Sequence, residues 1–322
     1  MRIEIDGDTL ALEDIERVAT DLSTEVVLAP GVEERIVRSR AVVEDAIARG
    51  AVVYGVTTGF GRLAETVIPL DRIEELQLNL IRSHACGTGA PLTRAETRAI
   101  TLLRANVLAR GFSGVRPVVV RRLLDLLNRG VHPIIPEQGS VGASGDLAPL
   151  SHLALVLLGE GQAEFGGEVL DGGEALRRAG LEPLRLQAKE GLALNNGTGA
   201  STGIAANALD RALGLAALTL GIHALYAQAL LATDQSFAPF IHAMKPHPGQ
   251  IWVAEWMAEL LKGSGAIRSE AAGQRGHRAG KLIQDRYSLR CLPQYMGPIV
   301  DGIVLAGRQI ETVVGLGYRF VE

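Results

Sequence analysis

Gly139-Ser140-Val141-Gly142-Ala143-Ser144-Gly145-Asp146-Leu147-Ala148-Pro149-Leu150 is the stretch on which the reading of this chain turns. Its centre, Ala143-Ser144-Gly145, sets a small residue, a hydroxyl and a glycine in succession. If the loop is bent tightly, the backbone nitrogen of Gly145 reaches the carbonyl carbon of Ala143. Ring closure and loss of two waters then give a methylidene-imidazolone, an electrophile made from the chain itself. Glycine is needed at 145 because its nitrogen must approach closely and its backbone must tolerate unusual angles. Ser144 is needed because its hydroxyl leaves to make the exocyclic alkene. Plainer readings compete. A glycine-rich loop is most often a turn. A nucleophile elbow needs glycine two residues after the serine, where Asp146 stands. A phosphate-binding loop would end in Gly-Lys-Ser/Thr, and none follows.

The rest of the chain narrows the class. Its 322 residues can bury a large core as one big domain or two. It is rich in Ala, Leu, Val and Arg and poor in aromatics, which favours helices over a β-sandwich. The net charge is −4, with no basic cluster interleaved with aromatics, so nucleic acid is not an expected partner. No long apolar run is free of charged or polar interruption, so no membrane span is expected. The first residues, Met1-Arg2-Ile3-Glu4-Ile5-Asp6, lack the apolar core of a secretory signal. Cys86 and Cys291 make neither a disulfide framework nor a metal-ligand spacing. A cytoplasmic protein with no external cofactor and no metal fits these features.

Local patterns predict the elements. Apolar residues at Val32, Ile36, Val37, Val43 and Ile47 recur at roughly helical spacing, and Gly50 is a natural stop. Thr93-x-x-Glu96 is a capping box that opens a helix to about Arg110. Pro117 suits the first turn of the next helix, which ends near Gly130. Leu150 to Leu158 reads as a buried helix, and Gln162 to Leu170, broken at Gly166-Gly167, as a small hairpin. A long Ala/Leu-rich helix from about Ser201 to Leu231 is apolar nearly all round, as a helix central to a bundle should be. Another spans Gln250 to Leu261, and 263–281 reads as a mobile loop. A helix start beside residue 145 would favour electron build-up on an electrophile there.

Three more stretches carry chemistry. Tyr54-Gly55-Val56-Thr57-Thr58-Gly59-Phe60-Gly61 puts a phenol before a glycine-rich loop. Gly191-Leu192-Ala193-Leu194-Asn195-Asn196-Gly197-Thr198 ends in what read alone is an Asn-Gly turn. Gln284-Asp285-Arg286-Tyr287-Ser288-Leu289-Arg290 offers a guanidinium, whose planar fork suits a carboxylate as Lys cannot. Together with 139–150, and in this order, these motifs resemble the aromatic amino acid ammonia-lyase family, over about residues 10–312.

The resemblance implies a mainly α fold of the fumarase/aspartase-like helical type, with a loop-rich N-terminal catalytic region over 1–200. Residues 201–322 would supply part of the central helical bundle. It implies an autocatalytic methylidene-imidazolone at Ala143-Ser144-Gly145, sited above helix ends. Tyr54 would be the base that takes the β-proton, and Asn196 would hydrogen-bond the ring and the amino group. Arg290 would grip the substrate carboxylate, with Tyr287, Gln284 and Gly61 also in the site. Ser83-His84 falls where the family reads the substrate side chain and looks like that of histidine ammonia-lyases. Other stretches look more like phenylalanine-specific members, and some tyrosine aminomutases also carry Ser-His. The expected reaction is therefore elimination of ammonia from an aromatic L-amino acid, histidine first, by a homotetramer whose active sites are shared between subunits. Family members run well past 322 residues, and the segment from Ile310 departs from their pattern. A truncated or frame-shifted product, or a natural short form, active or not, is expected on that ground.

Overall fold

The computed structural model describes residues 1–142, 144–268 and 284–316. A short parallel pair, β1 (Arg2–Ile5) and β2 (Glu25–Leu28), is joined by helix α1 (Leu12–Thr20). Helices α2 (Val32–Ala48) and α3 (Ile73–His84) follow, then strand β3 (Thr88–Pro91). Helix α4 (Arg94–Ala109) opens on the expected capping box. Thr93 accepts from the Glu96 nitrogen at 3.3 Å, and the Glu96 carboxylate accepts from the Thr93 nitrogen at 2.8 Å. Helix α5 (Pro117–Arg129) has Pro117 in its first turn and ends on Gly130 in the left-handed region, as its sequence predicts.

Strands β4 (His132–Pro133) and β5 (Pro136–Gln138) lead into the Gly139–Asp146 loop. Helix α6 (Leu147–Leu157) starts three residues before the sequence expectation. Pro149 lies in its first turn, where no intrahelical donor is required of it, so the proline does not delay the helix. The hairpin of β6 (Gln162–Phe165) and β7 (Glu168–Asp171) turns at Gly166-Gly167 as expected, and β6 also pairs with β4. Helices α7 (Gly172–Arg178) and α8 (Glu190–Asn195) precede the long α9 (Gly199–Ala229). Then come α10 (Pro239–Ala243), α11 (Pro248–Leu261), α12 (Tyr287–Arg290) and α13 (Leu292–Leu316).

The chain divides into two compact units. One holds Met1–Asn207 and the residues from Ile310; the other is Ala208–Gln309. The first core is built on α4, nearly all of which is buried, with α1, α5 and α6 packed around it. The second unit has its own core of Leu220, Phe237, Val253, Met257, Leu292 and their neighbours. Residues 269–281 of the loop read as mobile lie outside the described residues.

The stretch Glu190–Ala229 is long and apolar enough, by length and composition, to cross a membrane. The structure breaks it at Asn196, whose backbone is extended, and α9 carries Asp210 and Arg211. Part of α9 packs into the cores through Ala200, Ala206, Ala216 and Leu220. Leu213, Leu215, Leu218, Ile222 and Leu225 are exposed. The charged pair interrupts the run, and the rest of the segment has a bundle-like apolar character.

Candidate active site

The Gly139–Asp146 loop is held at its C-terminal end by Asp146. Its backbone nitrogen donates to the Gly197 carbonyl at 2.7 Å. Its carboxylate, 3% exposed, accepts from Ser140 Oγ at 2.8 Å, the Ser201 nitrogen at 2.7 Å and Ser201 Oγ at 2.9 Å. Asp146 thus precedes α6 in the chain but caps the first turn of α9, satisfying a backbone donor that the helix itself cannot. The N-termini of both helices converge on Asp146, so their partial positive charges fall beside Gly145.

Gly145 is buried, with φ +106°, where a side chain is strongly disfavoured. A Cβ there would lie 2.6 Å from the Gly197 oxygen and 2.8 Å from its nitrogen. Ser144, one residue before, is exposed. Ala143 lies outside the described residues. The loop therefore brings Ser144-Gly145 to the turn that follows α8, and Asn196 belongs to that turn. The two asparagines part there. Asn195 is fully buried, with Nδ2 donating to Ser151 Oγ at 3.3 Å and Oδ1 unpartnered among the described residues. Asn196 is half-buried at the C-terminal cap.

Tyr54 sits on a turn whose glycine packs on the same helix. Gly55 has φ +68°, and a Cβ there would lie 2.8 Å from Leu192 Cδ2 of α8. Thr57 Oγ1 ties the turn, accepting from the Val53 nitrogen at 2.8 Å and donating to the Ala51 carbonyl at 2.7 Å. The Tyr54 ring is 54% exposed and meets Phe60 edge-on at 6.2 Å. Gly61 begins the following 3-10 turn and is exposed.

His84 ends α3, a helix that packs on both α6 and α8. Its Nδ1 lies 2.9 Å from the Leu80 carbonyl. A carbonyl only accepts, so Nδ1 carries the proton and Nε2 is left as an acceptor in the neutral ring. Just beyond, the Gly87 nitrogen donates to His152 Nε2 of α6 at 3.0 Å, and Gly87 packs under Gly139. The start of the Gly139–Asp146 loop and the end of α3 are thereby joined.

Gln284, Tyr287 and Arg290 belong to the second unit. Tyr287 and Arg290 bracket α12, and the Arg290 guanidinium stacks over the Tyr287 ring at 4.0 Å. Arg290 Nε is buried without a partner among the described residues, while Tyr287 and Gln284 are exposed. No group of three or more His, Cys, Asp or Glu capable of holding a metal occurs among the described residues.

Several residues at this site carry no sequence motif of their own. Gln77 of α3 is fully buried, and its Oε1 accepts from the Gly191 and Leu192 nitrogens at 2.9 and 3.3 Å, anchoring the start of α8. Glu190, also fully buried, takes Arg116 Nε and Nη2 at 2.8 Å each and the Gln187 nitrogen at 2.8 Å. Arg104 of α4 donates to the Ala193 carbonyl of α8. Polar residues repeated inside an otherwise apolar helix, as Arg98, Arg104 and Asn106 are in α4, are the only sequence signal for such groups.

Residues 10–314 match the family model described as aromatic amino acid lyase. The chain belongs to that family. It is 51% identical to an aromatic ammonia-lyase of Loktanella atrilutea over 97% of this chain and 58% of that protein. A histidine ammonia-lyase of Anaeromyxobacter dehalogenans is also 51% identical, over 93% of this chain and 59% of its own length. The chain thus spans about three-fifths of the curated relatives it matches. Among solved structures, the tyrosine aminomutase of Streptomyces globisporus superposes with a TM-score of 0.90 at 36% identity. It is matched over 98% of this chain and 61% of its own. The histidine ammonia-lyase of Trypanosoma cruzi gives a TM-score of 0.85 at 38% identity, over 98% and 57%. The family and its mainly α fold accord with the sequence expectation.

Proposed function

We propose that this chain carries the catalytic region of a carbon–nitrogen lyase that eliminates ammonia from an aromatic L-amino acid, with L-histidine, giving urocanate, as the preferred substrate. The observation that supports it is the cradle at Gly145. A glycine at φ +106° lies against the Gly197 peptide where no Cβ has room, directly after an exposed serine and beside the Asn196 turn. These residues fit a methylidene-imidazolone formed from Ala143-Ser144-Gly145, because the only bulk the ring tolerates at its third position is none. When formed, that group would supply the electrophile for the amino acid.

The chain's own residues take the other roles. Tyr54, on an exposed turn fastened to α8, removes the β-proton; its flanking glycine leaves room for the approach to Leu192. Asn196 hydrogen-bonds the ring and the amino group. Arg290, flat against Tyr287, presents a guanidinium suited to the substrate carboxylate, with Gln284 alongside in sequence. His84 accepts through Nε2 from a ring that can donate, which an imidazole N–H or a phenol O–H does and a plain phenyl does not. That tautomer is what favours histidine over phenylalanine. Gly61 borders the substrate behind Tyr54. The exposed leucines of α9 are surface that a homotetramer would cover.

The test is the mass of the peptide holding Ala143-Ser144-Gly145, followed by product absorbance with each amino acid. A deficit of two waters and urocanate from histidine are expected. An unmodified peptide would sink the reading. Cinnamate or coumarate as the preferred product would move the substrate to phenylalanine or tyrosine.

A further inference from the structure

Arg104 is a buried cation without a counter-ion among the described residues. It is 3% exposed, Nη2 donates to the Ala193 carbonyl, and Nε is buried without a partner among the described residues. A charge held this way is among the costlier things a fold can bury, and without a role a methionine would fill the same space more cheaply. Burial alone pulls its pKa down to about 10, which leaves it a cation at neutral pH.

Its place gives the reason. Nη1 presses on Gly197 so closely that a Cβ there would overlap it. The peptide groups of Gly197 in turn touch Gly145, and the Gly197 carbonyl accepts from the Asp146 nitrogen. Cation, Gly197 and the last residue of the tripeptide are consecutive contacts. Arg98, less than two turns earlier on α4, is a built-in contrast. It is equally buried and its Nη2 is also unpartnered among the described residues, but its Nε and Nη1 are spent on the Val18 and Leu127 carbonyls at 2.6 and 3.1 Å, tying α1 and α5 to α4, far from Gly145 in its contacts.

We propose that Arg104 is a positioning residue for ring closure, a fixed positive charge behind Gly145 that favours the negative charge which appears as Ala143-Ser144-Gly145 cyclises. The inference rests on the reading above that the tripeptide cyclises. In the first step the Gly145 nitrogen bonds to the Ala143 carbonyl carbon, the carbonyl π pair moves onto its oxygen, and the amide proton passes to that oxygen. One water then leaves as that hydroxyl with the Ser144 amide hydrogen. The second leaves as the Ser144 hydroxyl with its α-hydrogen. No oxidant or further reactant is needed. Charge is transiently gathered on that oxygen, and a preorganised cation buried behind Gly145 offsets it without reorganising.

The experiment refolds unmodified chain from denaturant and follows the near-ultraviolet absorbance of the ring and the mass of its peptide. The parent is compared with Arg104→Gln, Arg104→Lys and Arg98→Gln, each scored against its recovered helical circular dichroism. Arg104→Gln is expected to form the ring at least tenfold more slowly than the parent, and Arg104→Lys within about threefold of it. Arg98→Gln is expected to lose stability yet mature at the parent rate per folded molecule. Equal rates in Arg104→Gln and the parent overturn the proposal, as does a folded Arg104→Lys that forms no ring. If Arg104→Gln does not fold, Arg104→Lys decides alone by the same criterion. A parent that keeps both waters overturns the cyclisation reading itself, which is a different result.

Discussion

A Cβ on Gly145 would lie 2.6 Å from the Gly197 oxygen, so the tripeptide and the turn after α8 are fitted to each other through two glycines. Gly142, three residues earlier, also has a positive φ, +67°, but nothing lies within 4 Å of a Cβ there. The pair separates strain from collision. Gly142→Ala should cost about 1 kcal/mol, the price of a left-handed non-glycine residue, and still form the ring. Gly145→Ala should leave the peptide at its unmodified mass, because backbone atoms rather than a flexible side chain stand in the way. Peptide mass and thermal unfolding of the two variants check this.

Ser144→Ala should fold with the parent's stability, since the side chain is exposed. It should show neither the ring absorbance nor turnover, because no hydroxyl remains to leave. Turnover at the parent level in this variant would remove the electrophile from the mechanism.

Asp146 joins both ends of the loop to α9. Asp146→Ala removes the acceptor for Ser140 Oγ, Ser201 Oγ and the Ser201 nitrogen together. A lost cap alone costs about 1 kcal/mol, and the stranded buried donors add to it, so a total of about 2–3 kcal/mol is expected in urea unfolding. Ring formation should slow as well, because the bend at Gly145 loses its anchor. Asp146→Asn keeps one acceptor oxygen and should recover most of both effects.

Parts of this were legible in the sequence, and the reasons differ by residue. Helices α4 and α5 announce themselves through local chemistry: the Thr93–Glu96 box, Pro117 in a first turn and Gly130 at a stop. The hairpin at Gly166-Gly167 is likewise local. The β1–β2 pair is not, because each strand has four residues and its partner lies beyond α1. Helix α3 hid behind Gln77, a polar residue in a core position whose purpose, accepting from Gly191 and Leu192, is more than a hundred residues away. At the site, the proposal for Ala143-Ser144-Gly145 can be made from sequence because its chemistry is internal to three residues. That for Arg104 cannot, because what makes it unusual is that no described carboxylate pairs with it in space.

The Arg116–Glu190 pair supports the entry to α8, and its cost of removal can be bounded. The Glu190 side chain is 0% exposed and the Arg116 side chain 28%. Glu190→Ala would strand a partly accessible guanidinium and two backbone donors, the Arg116 and Gln187 nitrogens. A loss of about 3 kcal/mol is expected, the lower end for breaking a buried pair, because water can reach Arg116. Glu190→Gln should lose less, since its oxygen still accepts. Chemical denaturation with an unchanged slope would register both.

His132 makes stability depend on pH. It is 5% exposed on β4, and burial first, then the nearby Arg98 and Arg94 against an opposing Glu164, pulls its pKa down to about 4. Unfolded, the ring returns to about 6.5. Above pH 6.5 it is neutral in both states and contributes no pH dependence. Between about 6.5 and 4 the unfolded chain binds a proton that the folded chain does not, so stability falls as pH falls; below about 4 both states are protonated and the loss levels off. The full span is worth up to about 3 kcal/mol. His132→Phe, which keeps an aromatic ring of similar breadth without a titrating nitrogen, should flatten this limb of the stability curve and leave ring formation at Gly145 untouched. A variant as steep as the parent between pH 6.5 and 4 would assign the limb to another group.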